Sequence, residues 1–105
     1  MLFRSEIQIP SVRYDSVHSF HLYVIKATNR DVLKKYLIEK GIETAIHYPS
    51  ALPNLPAYRY LQHKPYDFPN ATKLQEAILS LPMYPELKEE EIIYVSDQIR
   101  SFYLQ

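Results

Sequence analysis

The stretch SFHLYVIKATNRDVLKKYLIEKG, residues 19–41, decides the fold because it joins a strand pattern to a helix pattern. Residues 19–27 are apolar or aromatic on both faces and rich in strand-forming side chains, which is typical of a central, covered strand. Asn29 can cap a helix over residues 30–40, whose apolar side chains recur at spacings of three and four. Gly41 supplies the left-handed position that ends such a helix.

The remaining elements are read from alternation, proline positions and charge. They are an edge strand or a bulge over 6–13, a strand over 43–48, a proline-stiffened loop over 49–56 with a helical turn at 57–61, a helix from Pro69 whose apolar stripe runs to Leu81, a short strand over 79–84, and a C-terminal helix over 89–102. The order β, β, α, β, α, β, α predicts an α+β fold, a two-layer sandwich with a small, mostly antiparallel sheet and about three helices.

Composition limits the partners of the chain. The 105 residues are 47% hydrophobic and 23% charged, which is enough for one core. Twelve basic residues balance twelve acidic ones, so charge gives no reason to expect nucleic acid or an anionic membrane as partner. The absence of cysteine excludes disulfides, thiolate zinc sites and cysteine nucleophiles. With no signal-peptide pattern and no apolar run of membrane-spanning length, we expect a cytoplasmic protein.

The best candidate site lies in GIETAIHYPSALPNLPAYRYL, residues 41–61. His47 and Tyr48 stand at the end of an expected strand, where the chain enters a loop and loops commonly carry function. An imidazole there can donate a hydrogen bond to a phosphate or a sugar hydroxyl, whether it is charged or neutral. In the alternative interpretation, His47 only caps the strand and Tyr48 packs on the sheet. Local sequence leaves both interpretations open.

Other candidate groups have simpler explanations. His18 and His21 invite a metal site, but residues three apart on a strand point to opposite faces. The tyrosines at 58, 60 and 66, with Arg59 and Lys64 between them, faintly resemble a nucleic-acid platform, although aromatic residues near prolines more often fill a loop core. The chain contains no complete catalytic motif.

Several motifs in order resemble the C-terminal part of the DegT/DnrJ/StrS family of pyridoxal-phosphate-dependent sugar aminotransferases. They are HLY, GIETAIHYP, PAYRYL, DFPNA and SLPMYPEL, within residues 17–103. The resemblance implies that residues 1–105 are one C-terminal small domain of a fold-type I enzyme. It also implies that the large domain, which carries the cofactor lysine and phosphate cup, is absent. The chain has seven lysines, at positions 26, 34, 35, 40, 64, 73 and 88. None of them has a context that marks it as the Schiff-base residue, and we expect this chain to bind no cofactor.

The resemblance also implies a function. The intact parent would transfer an amino group, commonly from glutamate, to a keto sugar nucleotide in amino-sugar or polysaccharide biosynthesis, while this chain alone would be inactive. His47, Tyr48 and Pro49 match the family segment that lies near the sugar nucleotide. His47 would supply a hydrogen bond, Tyr48 an apolar face with a polar tip, and Pro49 stiffness. Many relatives have a second histidine where this chain has Pro53, which puts that substrate contact in doubt.

A second interpretation belongs to a different class of function. The chain could be a free-standing, non-catalytic module that binds a sugar nucleotide or a partner protein. The two interpretations differ in the surface that they predict. A small domain separated from a large one exposes apolar surface and can form a homo-oligomer to bury it, whereas a module is polar outside its ligand loop.

Overall fold

The structure, a computed structural model, describes residues 6–105. Residues 1–5, which begin the segment where no signal-peptide pattern is found, lie outside this range. The described strands and α-helices are β1 (Ile7–Gln8), β2 (Tyr23–Ala27), α1 (Arg30–Glu39), α2 (Pro69–Ala77), β3 (Ile78–Leu81) and α3 (Glu89–Tyr103). Three short 3₁₀ helices, Leu52–Asn54, Pro56–Leu61 and Pro65–Asp67, lie between α1 and α2.

The sheet is antiparallel, with β2 between β1 and β3. Ile7 pairs with Ala27 at one edge, and Tyr23 pairs with Leu81 at the other. A small antiparallel sheet with three α-helices in the described residues confirms the predicted α+β class. The central position of β2 in the sheet is also as predicted. Its pattern of buried and half-buried side chains fits a strand that is covered on at least one face.

One core lies between the sheet and the helices α1 and α3. The side chains of Ile25, Leu33, Leu37 and Leu79 are almost completely inaccessible to solvent. Packed around them are the other buried apolar residues: Ile7, Ala27, Ile42 and Ile99. The three-and-four spacing in α1 thus turns Leu33 and Leu37 toward the strands, as amphipathic periodicity predicts.

All four expected strands are shorter than the sequence indicates. The edge strand expected over 6–13 is limited to Ile7–Gln8, and the strand expected over 79–84 is Ile78–Leu81. The central strand begins at Tyr23 and not at 19, because Phe20 adopts a left-handed φ of 51° and its N–H donates to Nδ1 of His18. The strand expected over 43–48 is reduced to a single bridge between Ala45 and Ser80. On one side of that bridge the N–H of Ile42 is held by the end of α1, through the carbonyl of Leu37.

The helix expected to run to Leu81 ends at Ala77. Ile78 is extended, with φ −79° and ψ 142°, and begins β3. The apolar run 78–81 satisfies both a helix stripe and a buried strand, and pairing with β2 decides in favour of the strand. β3 stops at Leu81 because Pro82 has no N–H to continue a ladder.

Of the three features predicted for the ends of α1 and α3, the cap at Asn29 is wrong, and the glycine stop and the acidic first turn are correct. Asn29 precedes α1 in a left-handed conformation, but its side chain makes no capping hydrogen bond, so the predicted side-chain cap is wrong. Gly41 has the predicted positive φ, 79°. At α3, the acidic first turn is also as predicted, and Oε2 of Glu91 accepts hydrogen bonds from the backbone N of Lys88 and from the hydroxyl of Tyr84. The bond to Glu91 raises the pKa of Tyr84.

None of the helices in residues 6–105 combines the length and apolar character that crossing a membrane requires.

The core assignment predicts a large difference between two substitutions on α1. Leu33→Ala removes a fully buried side chain and should lower the free energy of unfolding by about 3 kcal/mol. Val32→Ala, at a neighbouring exposed position, should change it by less than about 0.5 kcal/mol. Urea denaturation followed by circular dichroism measures both values, and equal losses would contradict the assignment of the core.

Tyr103 predicts a loss of stability at high pH. Its hydroxyl donates to the carbonyl of Thr28, and burial, with a smaller contribution from the Glu6 carboxylate, raises its pKa from 10.0 to about 12. Because the folded chain holds this proton more tightly than the unfolded chain, stability should fall as pH rises from 10 toward 12. Denaturation curves at successive pH values should show a shallower fall for Tyr103→Phe. An identical fall in both proteins would contradict this role for Tyr103.

Candidate functional site

His47 is held against the sheet by Ser80. The backbones of Ala45 and Ser80 exchange two hydrogen bonds, with N to O distances of 3.1 and 2.7 Å. Two residues beyond Ala45, Nδ1 of His47 lies 2.8 Å from Oγ of Ser80. Ser80 is buried, while His47 is half-buried. One ring nitrogen of His47 is therefore engaged by the protein, and Nε2 has no hydrogen-bond partner among residues 6–105.

Tyr48 and Pro49 are both exposed beside this histidine. The Tyr48 side chain has 71% of its surface accessible to solvent, so it does not pack on the sheet as the alternative interpretation proposed. Its ring meets that of His47 edge to face, with centroids 5.5 Å apart and an interplanar angle of 85°. The peptide bond between the two residues is cis. Together they present a phenol and an imidazole at the start of the loop.

The loop that follows is fastened to α2. Oε1 of Gln75 accepts hydrogen bonds from the backbone N of Ala51 at 2.7 Å and from Nδ2 of Asn54 at 3.1 Å. Oγ1 of Thr72 accepts from the same Asn54 amide at 3.0 Å and donates to the carbonyl of Pro65 at 2.9 Å. We call Ala51, Asn54, Thr72 and Gln75 the loop clamp. It ties both ends of residues 51–65 to one helix.

Prolines shape the same loop from within. Each of its three 3₁₀ helices carries a proline in its first turn, namely Pro53, Pro56 and Pro65. A proline fixes φ near the value that such a turn requires and has no N–H left unsatisfied there. The helical turn expected at 57–61 is present as Pro56–Leu61. The loop thus has a defined conformation made of three proline-started turns.

Sequence reasoning missed the loop clamp. Thr72 and Gln75 are three residues apart on α2, a spacing that places both side chains on one helix face. That polar pair beside the apolar stripe was a signal that could have indicated a contact with the proline-rich loop. Its partners, Ala51 and Asn54, lie about twenty residues earlier, beyond the reach of local patterns.

The other candidate residues lie apart from the clamp or are engaged otherwise. Tyr60 and Tyr66 are 74% and 76% exposed, so they do not fill a loop core. His18 stacks on Phe20 with ring centroids 4.2 Å apart and accepts its N–H. Within residues 6–105, no three histidine, aspartate or glutamate side chains are grouped as a metal site requires.

Comparison with known proteins assigns the chain to a family. The sequence pattern of the DegT/DnrJ/EryC1/StrS aminotransferase family matches residues 4–100. The chain belongs to this family. The resemblance drawn from the motifs HLY, GIETAIHYP and SLPMYPEL is therefore confirmed.

Individual relatives show how much of their own length this chain matches. It is 45% identical to a pleiotropic regulatory protein of Geobacillus stearothermophilus, over 82% of this chain and 23% of that protein. It is 36% identical to a UDP-N-acetyl-3-dehydro-alpha-D-glucosamine 3-aminotransferase of Acidithiobacillus ferrooxidans, over 90% of this chain and 25% of that protein. The chain thus spans about a quarter of the length of the curated relatives it matches.

Solved structures agree with this assignment. The S. venezuelae protein DesV, in complex with a ketimine intermediate, superposes with a TM-score of 0.88 at 28% identity, covering 96% of this chain and 28% of that one. A putative sugar aminotransferase of Streptococcus pneumoniae has been solved in its PLP form, with a TM-score of 0.81 at 27% identity over 95% of this chain and 27% of that one. Family members thus hold pyridoxal phosphate.

The lysines of this chain do not fit the Schiff-base role. All seven lie in the described residues, and all except Lys34 are exposed. Nζ of Lys34 is engaged, because it donates to the carbonyl of Thr44 at 3.0 Å. A Schiff-base lysine requires a free amine beside an enclosed cofactor pocket. Because six of the seven lysines are exposed and Lys34 is engaged, no catalytic step through the cofactor is assigned to the described residues.

The loop clamp predicts a specific effect of Gln75→Ala. The substitution removes the acceptor of the Ala51 N–H, so hydrogen exchange at that amide should accelerate by about tenfold. Exchange followed by NMR measures this rate. Glu76→Ala, at the next and exposed position of α2, should leave it unchanged. If both variants exchange like the unmodified chain, Gln75 does not hold the loop.

Proposed function

We propose that this chain is the C-terminal small domain of a pyridoxal-phosphate-dependent sugar aminotransferase. In the intact parent, an amino group, commonly from glutamate, would pass to a keto group of a nucleotide-linked sugar. Support comes from the family membership, from the quarter-length coverage of relatives, and from the name of the Acidithiobacillus ferrooxidans relative, an aminotransferase of a UDP-linked sugar. A cytoplasmic location stays a prediction.

The arrangement of His47 is the observation on which the proposed role of this chain rests. Its Nδ1 is tied to buried Ser80, its Nε2 has no partner in the described residues, and exposed Tyr48 stands at its edge. A fixed imidazole with one open nitrogen can hydrogen-bond a sugar hydroxyl or a phosphate oxygen. The exposed tyrosine adds an apolar face that can lie against a sugar ring, and Pro49 stiffens the start of the loop.

Apolar surface supports the small-domain proposal over the free-standing module. Large apolar side chains are exposed well away from the loop of residues 47–67. They include Ile9, Val12, Tyr14 and Val17 near the N-terminal end, and Ile92, Ile93 and Tyr94 on α3. A module would be polar outside its ligand loop, whereas a domain of a larger enzyme leaves such side chains for its neighbour to cover. The large domain of the parent, or a second copy of the chain, is the proposed cover.

The role of His47 is tested by titration with a UDP-linked sugar. The complete chain, labelled with ¹⁵N, is titrated with UDP-N-acetylglucosamine while its amide signals are recorded. Saturable shifts should centre on Tyr48 and the following loop. His47→Ala should weaken the apparent affinity by about tenfold, because a hydrogen bond to a phosphate or hydroxyl oxygen is lost.

His21→Ala is the matched control, because His21 is exposed and lies outside the loop. It should bind like the unmodified chain. Equal weakening by the two substitutions, or shifts that centre away from residues 47–67, would contradict the proposed site. Absence of any shift at millimolar ligand would contradict independent sugar-nucleotide binding by this chain.

A further inference from the structure

The contact between Ser80 and His47 restricts where protons can lie. Ser80 lies in β3 and only 4% of its surface is accessible to solvent. Its backbone N and O are both used by Ala45, and its Oγ lies 2.8 Å from Nδ1 of His47. The serine hydroxyl carries one proton, and a buried hydroxyl proton without an acceptor is costly.

The described residues offer one hydrogen-bond acceptor for the hydroxyl proton of Ser80. Among residues 6–105, Nδ1 of His47 is the only side-chain or backbone group that hydrogen-bonds Oγ of Ser80. If neutral His47 carried its proton on Nδ1, the imidazole would donate and the serine proton would have no acceptor. If Nδ1 is unprotonated, the serine donates to it and the buried hydroxyl is satisfied. The second arrangement leaves the imidazole proton on Nε2.

We propose that Ser80 is a positioning residue that fixes neutral His47 as its Nε2–H tautomer. The open nitrogen is then a hydrogen-bond donor, in the neutral as in the charged ring. The site would therefore select ligands that present an acceptor oxygen, such as a phosphate or a sugar hydroxyl. This inference rests on the proposed function only for the identity of the ligand that meets Nε2.

The tautomer can be measured without any ligand. Long-range ¹H–¹⁵N spectra of the complete chain at about pH 8, where an ordinary imidazole is neutral, distinguish the two ring nitrogens by their shifts. His47 should show the Nε2–H pattern. Ser80→Ala should move it toward a mixture of both tautomers, while Ser80→Thr, which keeps the hydroxyl, should retain the original pattern.

A merely structural role of Ser80 would give a different result. The dispersion of the backbone amide spectrum reports whether Ser80→Ala still folds. If Ser80→Ala does not fold, Ser80→Thr still tests the hydroxyl, because it should keep the Nε2–H pattern. The inference is overturned if unmodified His47 is the Nδ1–H tautomer. It is equally overturned if a folded Ser80→Ala protein keeps a pure Nε2–H pattern.

Binding of UDP-N-acetylglucosamine separates this inference from the proposed function. Ser80→Ala should weaken binding by about three- to tenfold, and Ser80→Thr should restore it. If the tautomer responds to Ser80→Ala but the unmodified chain binds no sugar nucleotide, independent binding by this chain fails and the role of Ser80 stands. If the chain binds but the tautomer is insensitive to Ser80, the role of Ser80 fails alone.

Discussion

The bond between Ser80 and His47 connects the fold of this chain to its candidate site. β3 pairs along its length with β2 and, at Ser80, with Ala45 on the other side. Leu79 and Ser80 are adjacent and both buried, although successive strand residues point to opposite faces. The sheet is therefore covered on both faces here, by the core at Leu79 and by the segment of His47 at Ser80. A polar residue is tolerated at such a position because His47 satisfies it.

Local patterns predicted the elements that form from nearby residues. The helix α1, its glycine stop at Gly41 and the acidic start of α3 follow from spacing and capping chemistry within a few residues. The failures have two causes, namely distant pairing that overrides a local pattern and local hydrogen bonds that periodicity does not show. Residues 78–81 fit a helix stripe until β2 supplies partners, and residues 43–48 fit a strand until the end of α1 holds Ile42. The periodicity of a segment does not reveal which residues will hydrogen-bond to it.

The candidate site divides in the same way. His47, Tyr48 and Pro49 could be selected because they follow a strand pattern and precede a proline-rich loop. The residues that fix their geometry could not be selected, because Ser80 is 33 positions from His47 and Gln75 is 24 positions from Ala51. These contacts matter for binding, since a loop that is already ordered loses less conformational entropy when it meets a ligand. The loop is therefore ordered in the absence of any ligand.

The position of Pro53 makes the state of His47 more important. Pro53 lies in the first turn of Leu52–Asn54, and its side chain has no group that can hydrogen-bond a substrate. His47 is the one histidine in residues 41–61, and His63 packs edge to face on Phe68 at 4.9 Å. A segment with two imidazoles can offer a donor from one and an acceptor from the other. A segment with one open ring nitrogen offers either a donor or an acceptor at a time, and the buried hydroxyl of Ser80 behind Nδ1 favours the donor.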